Sequence, residues 1–171
     1  TETSEHDLYY DQVAHWFSSN GWSIHAFQSE AWSSVEAQAQ GIVNAPTGSG
    51  KTYALILPIL RAIAESGSPS LQAIWISPVR ALTQEILMAT ERAIDALGLD
   101  IYVDIRTGDT SMTKRRQQRH APPQILITTP ESLHVMLSAK DYPHYLDTVR
   151  YVVADEWHEL LGSKRGVQVE L

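Results

Sequence analysis

The chain has 171 residues, enough for one α/β domain with a proper core and too few for two large ones. Hydrophobic residues make up 43% and charged residues 19%, the make-up of a globular domain, and no run of about 18 apolar residues is present to span a membrane. Cysteine is absent, which excludes disulfides and thiolate metal sites, and the net charge of −7 argues mildly against a polyanionic partner without excluding a local basic surface.

The first residues, Thr1 to Asp7, are polar and acidic, unlike a signal peptide, and lack an initiator methionine, so the chain reads as processed or trimmed, with a cytoplasmic location as the default. Leu8, Val13, Trp16 and Phe17 stand near helical spacing, and Asn20-Gly21 closes that helix. A second helix is predicted from about Gln28 to Ala39, with Ala31, Trp32 and Val35 on one face and Gly41 past its end. The aromatic residues here suit a core better than a ligand platform.

From Gly41 short apolar runs alternate with helical patterns. Ile42-Val43 is predicted as the first strand and Thr52 to Ala64 as the helix after it, with Pro58 expected to kink it or remove one backbone bond. Residues Ala73–Ile76 form a second strand, and Val79 to Leu97 a long helix stopped by Gly98. Ile101 to Ile105 is a third strand, Ser111 opens a polar helix, and Gln124 to Thr128 is a fourth strand. Pro130 suits the first turn of a helix reaching Leu137, and Val149 to Ala154 is a fifth strand. This alternation predicts a mainly parallel sheet flanked by helices on both faces. Ligands of such sheets bind beyond the carboxyl ends of the strands, where Ala45, Pro78, Thr107, Thr129 and Asp155 fall.

Ala45-Pro46-Thr47-Gly48-Ser49-Gly50-Lys51-Thr52 lies between the first predicted strand and its helix. That order is the one in which a phosphate-binding loop is built, although Ala45 replaces the pattern's first glycine. Backbone N–H groups of Pro46 to Gly50 and of the helix start would cradle phosphate oxygens, except at Pro46, which has no N–H. Lys51 would reach the β- and γ-phosphates, and the Thr52 hydroxyl would ligate Mg²⁺. Val152-Val153-Ala154-Asp155-Glu156-Trp157-His158 supplies a second signal. An acidic residue ending an apolar strand suits Mg²⁺ held opposite the loop threonine, so Asp155 fits the metal and Glu156 a water-orienting or basic role. His158 reads as a coupling residue. Alternatively the pair is simply an acidic helix start. A zinc site at His158 is poorly supported, because the spacing is not His-Glu-x-x-His.

Together these residues resemble the first RecA-like domain of a superfamily 2 DExH-box helicase. Residues 45–52 resemble motif I and Asp155-Glu156-Trp157-His158 motif II. Ser77-Pro78-Val79-Arg80-Ala81-Leu82 resembles motif Ia, Thr107-Gly108-Asp109-Thr110 the short Thr-Gly motif, and Thr128-Thr129-Pro130-Glu131-Ser132-Leu133 motif Ib. Phe27-Gln28 resembles a Q motif, and residues 155–171 resemble the Lhr (large helicase-related) group, nearest its DNA-ligase-associated branch. The resemblance implies a three-layer RecA-like lobe at 41–171, preceded by helices and the Q-like segment at 1–40. It implies ATP and Mg²⁺ as cofactors, 3′ to 5′ translocation on single-stranded or forked DNA, a role in DNA repair, and DNA ligase and nuclease partners. Gln28 would read the adenine edge, with Trp22 beside the base or in the core. Pro78, Arg80, Thr107, Gly108, Thr129 and Pro130 would grip a DNA backbone without reading its sequence. Lys114-Arg115-Arg116 with Arg119 is either a wider DNA track or a solvated helix face.

No Ser-Ala-Thr motif III and no second lobe with its arginine finger follow motif II, so this piece is expected to bind nucleotide weakly and turn it over slowly. Two rival readings are a small-molecule kinase with a P-loop and a non-catalytic ATP-dependent binding module. Intact Lys51, Asp155 and Glu156 oppose the second. RNA stays open as the polymer, since no residue reports on the 2′-OH.

Overall fold

The computed structural model describes residues 4–43, 50–140 and 144–156, which group into two units: residues up to 66 together with 91–100, and residues 67–90 together with those from 101 onward. Among the described residues no helix is long and apolar enough to cross a membrane.

The first unit is helical. Helix α1 (Glu5–Ser19) begins at Ser4, whose hydroxyl accepts a hydrogen bond from the Asp7 N–H at 3.2 Å, satisfying one of the orphan donors of the first turn. It ends where Gly21 takes a φ of +71°, a value that costs a glycine little, and Trp22 N–H donates back to Phe17 O. The buried face is Tyr9, Val13 and Phe17, four residues apart. This corrects the expected face, since Leu8 is exposed and Tyr9 takes its place.

Helix α2 (Ala26–Glu36) starts two residues earlier than predicted, because the Gln28 side-chain oxygen accepts the His25 N–H at 2.9 Å and caps the turn from within. Helix α3 (Lys51–Ser66) buries Ala54, Ile56, Leu57, Ile59, Leu60 and Ile63, so little of it faces water. It stays helical through Pro58, which leaves the Ala54 carbonyl without its usual helical donor.

Four polar links tie these helices. Tyr9 Oη donates to Leu57 O at 2.6 Å, and Trp32 Nε1 donates to Tyr53 O at 2.9 Å. Glu36 receives both Tyr10 Oη at 2.8 Å and Arg61 Nη1 at 2.7 Å. Burial and the hydrogen bond to Glu36 push the Tyr10 hydroxyl well above the usual tyrosine range, so it donates as a neutral phenol.

The predicted strand at Ile42-Val43 is not formed. Residues 41–43 have no regular structure, and Ile42 is 73% exposed instead of buried in a sheet. Two apolar residues make a weak strand signal, and here no ladder partner among the described residues satisfies their backbone.

The second unit contains a four-stranded, wholly parallel sheet in the order β2-β3-β1-β4, from β1 (Ala73–Ile76), β2 (Val103–Arg106), β3 (Ile125–Thr128) and β4 (Tyr151–Ala154). β1 and β3 are buried along their whole length, as suits the apolar runs Ala73–Ile76 and Ile125–Ile127 at the centre of a parallel sheet, and Thr128 is buried with them. Helix α4 (Arg80–Ala96) contributes residues to both units and stops at Gly98, φ +62°. Helices α5 (Met112–His120) and α6 (Pro130–Ser138) and a 3₁₀ turn (His144–Thr148) complete the described elements. On one face Ile74, Ile76 and Leu126 pack with Met136 of α6 and Leu146 of the 3₁₀ turn.

The amino ends of the strands are stapled by side chains. The Gln124 amide accepts from Tyr102 N–H and donates to Ser68 O, Gln72 Nε2 donates to Ser70 Oγ, and Thr148 Oγ1 donates to Leu71 O. With that end held, the opposite end of the sheet is free to carry loops.

Candidate functional site

The sheet register sets the geometry of the second unit's site. Ile76 is level with Thr128 and Ala154, and Arg106 is level with Thr128. The next residue of each strand, Ser77, Thr107, Thr129 and Asp155, therefore stands at one carboxyl edge. Ladder bonds continue one step beyond the strands there: Ser77 N–H donates to Thr128 O at 2.9 Å and Asp155 N–H to Ile76 O at 2.8 Å. Four of the five strand-end positions that the sequence singled out are thus brought to one edge, while Ala45 lies outside the described residues.

Each loop is built differently. After β1, the Ser77 hydroxyl accepts from Val79 N–H at 3.4 Å and Pro78 is buried, which delivers Arg80 exposed at the first turn of α4. After β2, residues 107–110 form a tight turn: Asp109 N–H donates to Thr107 Oγ1 at 3.2 Å and Thr107 N–H to Thr110 Oγ1 at 2.9 Å. Arg115 clamps it, donating from Nε to Thr110 O at 3.0 Å and from Nη2 to Thr107 O at 3.2 Å.

Arg80 crosses to this turn, its Nη1 lying 2.9 Å from Asp109 Oδ2. Gly108 makes room for it, since a Cβ there would lie 2.5 Å from Arg80 Nη2. After β3, Thr129 caps α6 by accepting from Ser132 N–H at 3.3 Å, with Pro130 as the first helical residue. Thr107, Thr129, Pro78 and Pro130 are all buried, so their side chains shape the loops, and of the six residues predicted to grip DNA only Arg80 and Gly108 are exposed.

After β4, Asp155 Oδ1 accepts the Glu156 N–H at 2.9 Å, and Glu156 adopts a left-handed φ of +51°. A residue without a glycine's freedom is uncommon in that region, and such strain clusters at functional positions. His158 lies outside the described residues.

In the first unit, Lys51 and Thr52 are the first residues of α3, where helical N–H groups point outward and favour anions. Gly50 precedes them with a φ of +88°. Gln28, only 2% exposed, spans the gap behind it: its Nε2 donates to Gly50 O at 3.2 Å while its Oε1 holds His25. A Cβ on Gly50 would sit 2.5 Å from that Nε2, so both the left-handed turn and the close approach require glycine. Each amide atom of Gln28 retains capacity for one further hydrogen bond. Trp22 packs against Trp16, Phe17 and Tyr53, an aromatic cluster at the head of α3. Pro46, Thr47, Gly48 and Ser49 lie outside the described residues.

The donor chemistry suits magnesium. Thr52 offers a hydroxyl and Asp155 a carboxylate, hard oxygen ligands of the kind Mg²⁺ takes. Among the described residues no group of three or more His, Cys, Asp or Glu side chains could hold a metal.

Sequence reasoning missed Asp109 as the partner of Arg80 and Arg115 as the clamp of the Thr107–Thr110 turn. Neither carries a sequence signal, because the first joins residues 29 apart and the second depends on where α5 lies against β2.

A family model described as DEAD/DEAH box helicase matches residues 25–171. The ATP-dependent helicase Lhr-Core of Methanothermobacter thermautotrophicus is 36% identical over 97% of this chain and 21% of its own length. The solved structure of Mycobacterium smegmatis helicase Lhr bound to ssDNA and AMP-PNP superposes with a TM-score of 0.83 at 33% identity, covering 92% of this chain and 21% of that one. DUF1998 helicase MrfA bound to DNA and AMPPNP superposes with a TM-score of 0.78 at 28% identity, over 92% of this chain and 23% of that one. The chain spans between 10% and 22% of the length of the curated relatives it matches.

Proposed function

The chain belongs to the DEAD/DEAH box helicase family, and from that premise we propose that it is the ATP-binding lobe of an ATP-dependent DNA helicase that translocates 3′ to 5′ on single-stranded DNA and serves DNA repair. The observation that carries this reading is the register placing Ser77, Thr107, Thr129 and Asp155 at one sheet edge. A kinase would need only the phosphate loop and the acidic residue, whereas here three further loops share the edge with Asp155. Two relatives whose structures hold DNA together with a non-hydrolysable ATP analogue support the same pairing of ligands. The resemblance carried by the tail beginning at Asp155 supports assignment to the DNA-ligase-associated branch, with ligase and nuclease partners, and a cytoplasmic location stands as the default.

The roles divide by chemistry. Pro46 to Gly50 would wrap the phosphates, Lys51 would neutralise the β- and γ-oxygens, and Gln28 would couple the base-binding segment to Gly50. Thr52 and Asp155 would hold Mg²⁺, which supplies positive charge at the transferred phosphoryl group. Glu156 would orient or deprotonate the attacking water, and His158 would link nucleotide state to the polymer. Arg80, Gly108 and the backbone around Pro78, Thr107, Thr129 and Pro130 would grip phosphates of the strand. Residues 1–40 act as the approach to this lobe and 41–171 as the lobe itself. By itself the chain should turn over ATP slowly, because in the helicases it resembles the arginine finger that stabilises the transferred charge belongs to the second lobe.

The test is Glu156→Gln in the full-length protein. Nucleotide binding should persist while DNA-stimulated hydrolysis falls at least a hundredfold, within the range by which a positioned acid or base contributes. A wild-type protein whose ATP turnover ignores single-stranded DNA would defeat the reading, and unwinding of 5′-tailed in place of 3′-tailed duplexes would defeat its polarity.

A further inference from the structure

Among the described residues, β2 has a strand neighbour on one side only, β3, so its other side is an edge of the parallel sheet. Such an edge presents a row of N–H and C=O groups on which another strand can build. The ladder decides which groups those are. Tyr102 O accepts from Ile125 N–H and Arg106 O from Thr128 Oγ1, so the even-numbered residues turn their backbone toward β3. Backbone groups alternate along a strand, and Ile105 and Thr107 therefore turn theirs outward.

All four of those outward groups are taken by side chains. Ile105 N–H donates to Asp104 Oδ1 at 2.9 Å, and Ile105 O accepts from Gln118 Nε2 at 2.8 Å. Thr107 N–H donates to Thr110 Oγ1 at 2.9 Å, and Thr107 O accepts from Arg115 Nη2 at 3.2 Å. Asp104 is the hub, since its Oδ2 also receives Gln118 Nε2 at 3.0 Å, Tyr102 Oη at 2.8 Å and Lys114 Nζ at 3.0 Å. Within the basic run of α5, Lys114 and Arg115 are thus committed to β2 and its turn.

Polar bonds fasten α5 to this edge. Its sequence, Met-Thr-Lys-Arg-Arg-Gln-Gln-Arg-His, has one apolar residue, Met112, and that residue is 66% exposed. Its buried residue is Gln118, whose Oε1 has no hydrogen-bond partner while Nε2 serves β2. Burying an amide with one atom unsatisfied costs stability that a leucine of similar size would keep. Packing therefore does not account for glutamine here, and capping Ile105 O does.

We propose that α5 is a polar strap that seals the open edge of β2: Gln118 and Arg115, with Asp104 and Thr110, occupy the groups through which β2 would otherwise pair with β2 of a second copy. A second copy is the strand excluded because this edge is self-complementary. Across a two-fold axis at Ile105, each Ile105 N–H would meet the other chain's Ile105 O, the hydrogen-bonded pair of an antiparallel ladder. The seal involves neither nucleotide nor polymer and stands apart from the helicase reading.

The experiment is site-specific cross-linking of the 171-residue chain, which contains no cysteine of its own. Ile105→Cys, half-buried at the edge, is the reporter. A short bismaleimide joins two copies whose Cα atoms at this position lie about 5.5 Å apart. With the seal intact the reporter should give little dimer. Adding Gln118→Leu and Arg115→Ala frees Ile105 O and releases the strap, and the dimer should form at least about tenfold faster, the effect of one or two recovered hydrogen bonds. Met112→Cys, at the exposed start of α5, replaces the reporter as a control and should not respond. Equal cross-linking of Ile105→Cys with and without the strap would overturn the seal, as would an equal gain at Met112→Cys, the mark of general aggregation. Should the combined variant lose its cooperative urea transition, Gln118→Leu alone makes the same comparison with the same outcomes, since it exchanges the buried amide for an apolar side chain of similar size.

Discussion

Glu36→Ala tests whether the helical unit that carries Lys51 and Thr52 is held by its buried polar knot. Glu36 accepts from Arg61 at 2.7 Å and from Tyr10 at 2.8 Å, and the Arg61 and Glu36 side chains are only 15% and 20% exposed. Truncation strands the Arg61 cation and the Tyr10 hydroxyl. Breaking a fully buried pair costs about 3–5 kcal/mol, and losing a partly buried hydrogen bond adds about 1 kcal/mol. Glu65 lies 3.2 Å from the same Arg61 nitrogen and keeps part of the charge compensated. The expected loss is therefore about 3 kcal/mol rather than the full sum.

Urea unfolding of the chain followed by tryptophan fluorescence is a suitable assay, because Trp16, Trp22 and Trp32 all lie in this unit. Glu36→Leu combined with Arg61→Met should recover most of the loss, to within about 1 kcal/mol of wild type, since removing both charges strands neither. A Glu36→Ala loss below about 1 kcal/mol, or a double variant no better than the single one, would refute the argument that a buried, stranded cation sets the cost.

Other perturbations probe the site directly. Gly50→Ala must fit a Cβ 2.5 Å from Gln28 Nε2 and hold a φ of +88°, so nucleotide-analogue affinity of the full-length protein should fall at least about tenfold, the equivalent of about 1.4 kcal/mol of strain; unchanged affinity would show that the loop does not need this turn. Asp109→Asn frees Arg80 from an exposed ion pair worth about 0.2–1 kcal/mol, so single-stranded DNA should bind up to about fivefold more tightly, and weaker binding would mean that Asp109 orders Arg80 instead of competing with phosphate. Burial alone would raise the Asp104 carboxyl, but hydrogen bonds from Gln118, Tyr102, Lys114 and the Ile105 N–H outweigh it and hold the group below its ordinary value of 3.8. A carboxyl depressed in the folded state stabilises above its unfolded pKa and loses that contribution as pH falls through the folded one, so Asp104→Asn should flatten the decline in stability below about pH 4 and leave an identical acid limb only if the network is irrelevant.

Much of the molecule was legible before folding was considered. The apolar runs Ala73–Ile76 and Ile125–Ile127 suit the buried centre of a parallel sheet, and Ser111, Pro130 and Gly98 mark helix boundaries through local backbone chemistry alone. Gly50, Lys51 and Thr52 led to the expectation of a phosphate loop, and Asp155-Glu156 to that of an acidic metal ligand, because those side chains carry their chemistry at any position. What tertiary structure decided is which groups face one another. Register alone places Ser77, Thr107, Thr129 and Asp155 at one edge. Packing replaced Leu8 by Tyr9 in the core and left Ile42 outside the sheet, since burial depends on a partner that two apolar residues cannot specify. The contacts of Arg80 with Asp109 and of Arg61 with Glu36 join residues far apart in the chain. Their charges are written in the sequence, but the distances that turn them into held side chains are set only by the fold.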